Sequence, residues 1–189
     1  MSTLHTFKNA AERRSFTDED SKKLVTSYII TGIFWLLAGS ILAILASFKL
    51  HIPEFLGKYP PLTFGRVRPL HLNTMVYGWA SLTGTGVGLW ILTRTLRVCI
   101  PYKKLLYAGL AIWNIALVIA CFDILGGNSN GLEWLEIPMP TAGGILFGLV
   151  TALLAAMAML FTRTVENLYI SVYYIIAGLL WLPSRLIGA

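Results

Sequence analysis

Charge is what this sequence has least of. Only 13% of its 189 residues are Asp, Glu, Lys or Arg, against 56% apolar, and the mean hydropathy of +0.70 lies outside the range of soluble domains. That scarcity excludes a water-soluble globule. Cysteine is almost missing as well: Cys99 falls in an expected inner loop and Cys121 in an expected spanning helix, so neither a disulfide framework nor a metal-binding pair is indicated. Cys121 reads instead as a small apolar packing residue. Residues 1–26 hold no apolar core followed by a small-residue cleavage site, so they are expected to stay on the chain as a polar arm. No repeat or low-complexity tract is evident, and no polar segment is long enough to bury a core of its own.

What is present is long apolar runs. A spanning helix needs about 20 mostly uncharged residues, and five windows qualify: 27–48, 69–93, 105–125, 141–161 and 168–186. The expectation is an all-α integral membrane bundle of five transmembrane helices, with a 1–26 arm and a 27–189 bundle. Tyr169, Tyr173, Tyr174 and Trp181 suit a fifth helix whose ends lie at the interfaces.

Basic residues then orient the chain. The formal charge of +6 is scattered over helix ends and forms no stripe with interleaved aromatics, so no nucleic-acid partner is expected. With the N-terminus cytoplasmic, ten of the fifteen Lys and Arg fall inside and five outside, as the positive-inside rule asks. Arg66 and Arg68 sit among the outer five, so they answer some need other than orientation.

Those arginines lie in "GRVRPLHLNT", just before His71. A histidine in a spanning helix is costly and is a functional-site hypothesis by default. Three readings compete. His71 can be a hydrogen-bonding residue of the outer belt, sharing it with Tyr77 or the Glu133 loop. It can relay protons, although the helices offer little other ionisable chemistry beyond Asp123. It can also ligate a haem iron through one ring nitrogen while the other is held by a neighbouring acceptor. For the last, Gly78 and Leu82 come at helical spacings of seven and eleven, with Gly84, Gly86 and Gly88 beyond. The helix below the histidine is then thin enough for a porphyrin edge, or for close helix packing. Arg66 and Arg68 supply forked donors suited to propionates.

The stretch "FGRVRPLHLNTMVYGWAS" resembles the second helix of subunit I in the haem-copper oxidase superfamily, most of all the cbb(3)-type cytochrome c oxidases. "GLEWLEIPMP" and "ENLYISVYYIIAGLLWLP" resemble the segments after the third and fourth helices of that subunit. The resemblance implies that His71 is an axial ligand of a low-spin haem b, with Arg66 and Arg68 beside its propionates and Tyr77 and Trp79 packing. It further implies a multi-pass protein of the bacterial cytoplasmic membrane, in a complex with c-type cytochrome subunits. The family's copper and high-spin haem ligands come from helices after the fifth. Beyond His71 there are only His5 and His51, and a copper site wants several nitrogen ligands. Oxygen reduction, copper and high-spin haem are therefore expected only with a polypeptide carrying the remaining subunit I helices. A shorter relative that keeps the haem-b corner, a haem held between His51 and His71, a nitric oxide reductase-like subunit, and a haem-free structural or transport protein are the alternatives.

Two further features concern packing. Gly144, Gly148, Ala152 and Ala156 recur every four residues, a strip that receives either a helix of another polypeptide or one of these same five. Asn114, in mid-helix three, is expected to bond a neighbouring helix.

Overall fold

The computed structural model describes residues 10–188, and every regular element among them is helical. Helix α1 (Ala10–His51) is followed by a short 3-10 turn at Pro60–Leu62 and by α2 (Phe64–Asn73). A π-turn, Thr74–Ala80, joins α2 to α3 (Ser81–Leu96), and α4 (Lys103–Gly126), α5 (Met139–Phe161) and α6 (Ile170–Ile187) complete the chain. Four helices are long and apolar enough to cross a membrane: Arg14–His51, Lys103–Gly126, Met139–Phe161 and Ile170–Ile187. The second expected span is one rod made of α2, the π-turn and α3, with segments of 10, 7 and 16 residues, so no single α segment in it has a spanning length.

The arm is not separate from the bundle. From Ala10 it continues without a break into the first span, and it buries Thr17, Ser21, Leu24 and Val25. Asp18 takes a forked ion pair from Arg94 at the end of α3, and Lys103 at the start of α4 donates to a carboxylate oxygen and the backbone carbonyl of Asp20. His5, Lys8 and the rest of residues 1–9 lie outside the described residues.

α1 runs antiparallel to the second rod, and the contact is built from glycines facing large side chains. A Cβ at Gly78 would stand 2.7 Å from Trp35 Cβ and Cγ, one at Gly86 2.7 Å from Tyr28 Cβ, and one at Gly39 2.7 Å from Met75 Sδ. Gly32 meets Thr83 in the same seam. Removing side chains where two helix axes converge lets backbones approach and gains dispersion contact, the main attraction between helices in hydrocarbon. α4 and α5 pair in the same manner: Gly144 faces Ala116, Gly148 faces Trp113 and the Gly109 carbonyl, and Gly109 faces Thr151. Ala152 and Ala156 are fully buried. The small-residue strip of α5 therefore packs on α4, within this chain, and does not serve as a surface for another polypeptide.

Outward, α1 shows Ile30, Ile33, Phe34, Leu37, Ile41, Ile44 and Phe48. A strip of that size is untenable in water and ordinary in lipid. One cross-link ties the spans at depth: Trp35 Nε1 donates to Asn114 Oδ1 at 2.8 Å, and within α4 the Asn114 Nδ2 donates back to the Leu110 carbonyl at 2.8 Å. Asn114 thus bonds a neighbouring helix, as its position in the sequence suggests.

Gly78→Ala is expected to overpack the seam against Trp35 and cost about 1–3 kcal/mol, while Gly84→Ala, whose Cβ would meet nothing within 4 Å, is expected to be tolerated. Thermal or denaturant unfolding in detergent compares the two. The arm supplies a pH test. The Arg94 guanidinium, by its hydrogen bond to Asp18, holds that carboxyl below the ordinary carboxylate value. A depressed folded value means that docking of the arm is fully supported above the unfolded carboxylate pKa of about 3.9 and is lost as pH falls through the lower, folded one. Amide exchange over residues 10–24 is expected to rise in that acidic window, and Asp18→Asn should produce the same rise at neutral pH.

Candidate functional site

His71 lies on the last turn of α2, three residues before the π-turn. Its Nδ1 is 2.8 Å from the carbonyl oxygen of Gly39 on α1. A carbonyl can only accept, so Nδ1 carries the proton and donates, and in the neutral ring Nε2 keeps its lone pair. The ring is half-buried. A metal-ligating imidazole needs one nitrogen oriented by an acceptor, and the Gly39 carbonyl is such an acceptor for Nδ1.

The approach depends on Gly39 having no side chain. Met75 Sδ and Thr74 Oγ1 occupy the space that a Cβ would take. Thr74 in turn donates its hydroxyl to the carbonyls of Leu70 and His71, both at 2.9 Å, which ties the histidine's own backbone. The hydrogen-bond partner of His71 is thus on α1, while the Tyr77 hydroxyl donates to the Trp134 carbonyl of the Glu133 loop at 2.9 Å.

The glycines below His71 do not form one thin face. A π-turn holds more residues per turn than an α-helix, so spacings of seven and eleven across Thr74–Ala80 no longer return to the same side. Gly78 and Gly86 face α1 and are filled by Trp35 and Tyr28, while Gly84 and Gly88 line a cavity of about 370 Å³ against Tyr174, Gly178 and Leu179 of α6. Only close helix packing accounts for Gly78 and Gly86.

Arg66 and Arg68 both have partners in the chain. Arg66 Nη1 donates to the Leu125 carbonyl at 2.7 Å, and its guanidinium lies against Gly127, whose φ of +91° closes α4. The Gly127 and Asn128 amides take the carbonyls of Ile124 and Asp123, a Schellman cap, so Arg66 answers the next exposed carbonyl of that terminus. Arg68 pairs with Glu133 at 3.1 Å, both side chains well exposed. Neither guanidinium bonds His71, and Arg66 keeps N–H donors beyond the one it uses.

Sequence reasoning missed a buried pair beside the histidine. Asn73 Nδ2 donates to Glu136 Oε2 at 2.5 Å and to the Pro69 carbonyl at 2.8 Å, and both Asn73 and Glu136 are buried. Through it the loop after α4 folds inward over α2, burying Leu135 and Ile137 completely. The alternation of buried Leu135 and Ile137 around a carboxylate offered no signal that the carboxylate also turns inward. His51 is exposed, and its Nδ1 lies near the Ser47 carbonyl. Gly39 and His51 are twelve residues apart on one helix, roughly 18 Å of rise. Two nitrogens on opposite sides of one metal stand about 4 Å apart, so His51 and His71 cannot share an iron. Among the described residues no group of three or more His, Cys, Asp or Glu is placed to hold a metal ion.

Comparison with known proteins gives the family. Residues 23–188 match the family of cytochrome c and quinol oxidase polypeptide I, and the chain belongs to that family. Cytochrome c oxidase subunit 1 of Rhodobacter capsulatus is 23% identical over 166 residues, covering 83% of this chain and 30% of the relative. The Cbb3-type cytochrome c oxidase subunit CcoN1 of Stutzerimonas stutzeri is 23% identical over 159 residues, covering 82% and 32%. A cytochrome c oxidase subunit 1 homolog of Azorhizobium caulinodans is 21% identical over 159 residues, covering 84% and 29%. The chain spans about a third of the length of these curated relatives. With its apolar helices, this membership makes it a multi-pass membrane protein.

Arg66→Ala is expected to lower stability by about 1–2 kcal/mol, because a half-buried helix terminus loses a charged donor. Arg68→Ala removes an exposed pair and should cost about 0.5 kcal/mol or less. Denaturation of the two variants side by side measures the difference.

Proposed function

We propose that this chain forms the low-spin haem b corner of a cbb(3)-like terminal oxidase subunit I and takes part in respiratory electron transfer to oxygen. The observation that carries the reading is the His71 ring, with Nδ1 committed to Gly39 and the Nε2 lone pair left for a metal. The residues fit such a group. His71 is the iron ligand, the Gly39 carbonyl fixes its tautomer and rotation, and the unused N–H groups of Arg66 face the needs of a propionate. Arg68 joins them at the more exposed end of α2. Bound there, a haem supplies a one-electron redox centre, which neither imidazole nor arginine provides.

In this reading the N-terminus and the arm are cytoplasmic, in keeping with the distribution of Lys and Arg, and the membrane is the bacterial cytoplasmic membrane. The second axial ligand, the high-spin haem and copper belong to subunit I helices beyond the five present here, and c-type cytochrome subunits deliver electrons from the outer side. The relatives named for cytochrome c oxidase activity support this assignment at the level of the family.

The test is spectroscopic. In membranes carrying the assembled complex, His71→Ala is expected to abolish the reduced-minus-oxidised b-type band attributable to this site, with Arg66→Ala weakening haem retention more than Arg68→Ala. An unchanged band in the His71→Ala complex would falsify the assignment.

A further inference from the structure

The π-turn sits between two fixed points. On its outer side His71 is held to the Gly39 carbonyl; on its inner side Gly86 is fitted against Tyr28 and Arg94 is paired with Asp18. Replacing the π-turn by α-helix would remove about one residue of winding, roughly 100° of rotation between the two halves. One of the two contacts would then have to break. The state of this turn therefore sets the direction in which His71 points.

What holds the turn open comes largely from a different helix. The Ser81 N–H, which in an α-helix would donate to Tyr77, donates instead to the Val76 carbonyl, five residues back. The Ser81 hydroxyl reaches the same Val76 oxygen at 2.8 Å. The Tyr77 carbonyl, deprived of that donor, accepts the indole N–H of Trp113 from α4 at 3.1 Å. Trp113 is fully buried, and its ring is wedged against Gly148 of α5, so the donor cannot swing away. In hydrocarbon no water can take its place, and a carbonyl left without its donor drives the turn back toward α winding.

We propose that Trp113 is a positioning residue for His71: its indole N–H locks the π-turn and thereby keeps the imidazole on Gly39, which fixes the direction in which Nε2 would be presented to an iron. The proposal rests on the haem reading above and adds a residue that acts on His71 through the backbone of the turn.

Trp113→Phe keeps an aromatic ring and removes the donor; replacing Trp113 by 3-benzothienylalanine keeps the whole bicyclic shape and removes only the N–H. In the assembled complex both are expected to retain haem while shifting the low-spin g values and the midpoint potential. Both should also speed amide exchange over residues 74–81. If the phenylalanine variant does not assemble, the isosteric one decides alone. Wild-type g values, potential and exchange in the isosteric variant overturn the proposal. A b-type band that survives His71→Ala removes the haem reading itself; the exchange rates over 74–81 would still report whether Trp113 locks the turn.

Discussion

The hydrogen bond from His71 to the backbone of α1 is the contact around which the rest is arranged. A helical carbonyl already accepts one N–H, and its second lone pair is reachable only where no side chain stands in front of it. Position 39 meets that condition because it is glycine, and Met75 and Thr74 then fill the space beside it. The imidazole so held has one tautomer and one rotation. A free histidine at the same depth would have neither, and its availability to a metal would vary with each rotamer.

That contact in turn requires α1 and the second rod to converge over their whole length. Gly32, Gly39, Gly78 and Gly86 each admit a partner from the opposite helix, and the ion pair of Asp18 with Arg94 closes the far end. The exposed pair contributes register more than stability, since an exposed ion pair is individually weak. Dispersion along the seam supplies most of the attraction. The arm is therefore best understood as the last turns of the same seam, continuing past the apolar span because Thr17, Ser21, Leu24 and Val25 still have α3 and α4 to bury against.

Much of this was legible in the chain. Hydropathy alone located all five rods, and a lone histidine in an apolar run singled out His71. The register beyond it was not legible, because counting by seven and eleven assumes uniform α winding. The π-turn at Thr74–Ala80 is stabilised by an indole thirty-six residues away in sequence, and nothing local announces it. For the same reason the small residues of the fourth span, α5, declared close packing but not its partner. A glycine strip fits any helix, and only the matching Gly109, Trp113 and Ala116 on α4 decide the choice. The Gly39 acceptor was beyond reach for a simpler reason: a backbone carbonyl looks identical at every position of a sequence.

Arg66 and Arg68 show how local needs place charge at the end of an apolar rod. Both stand beside the C-terminus of α4, whose last carbonyls carry a partial negative charge. Arg66 donates to one of those carbonyls, and Arg68 meets a carboxylate of the adjoining loop. Both cations are thus accounted for by the chain before any cofactor is considered. Their roles still differ. Arg68 has a carboxylate partner at the surface, whereas Arg66 spends one N–H on a neutral carbonyl and remains a positive charge in a half-buried place. A guanidinium so placed favours an anionic group nearby, so in the proposed haem site it is Arg66, more than Arg68, that is suited to a propionate.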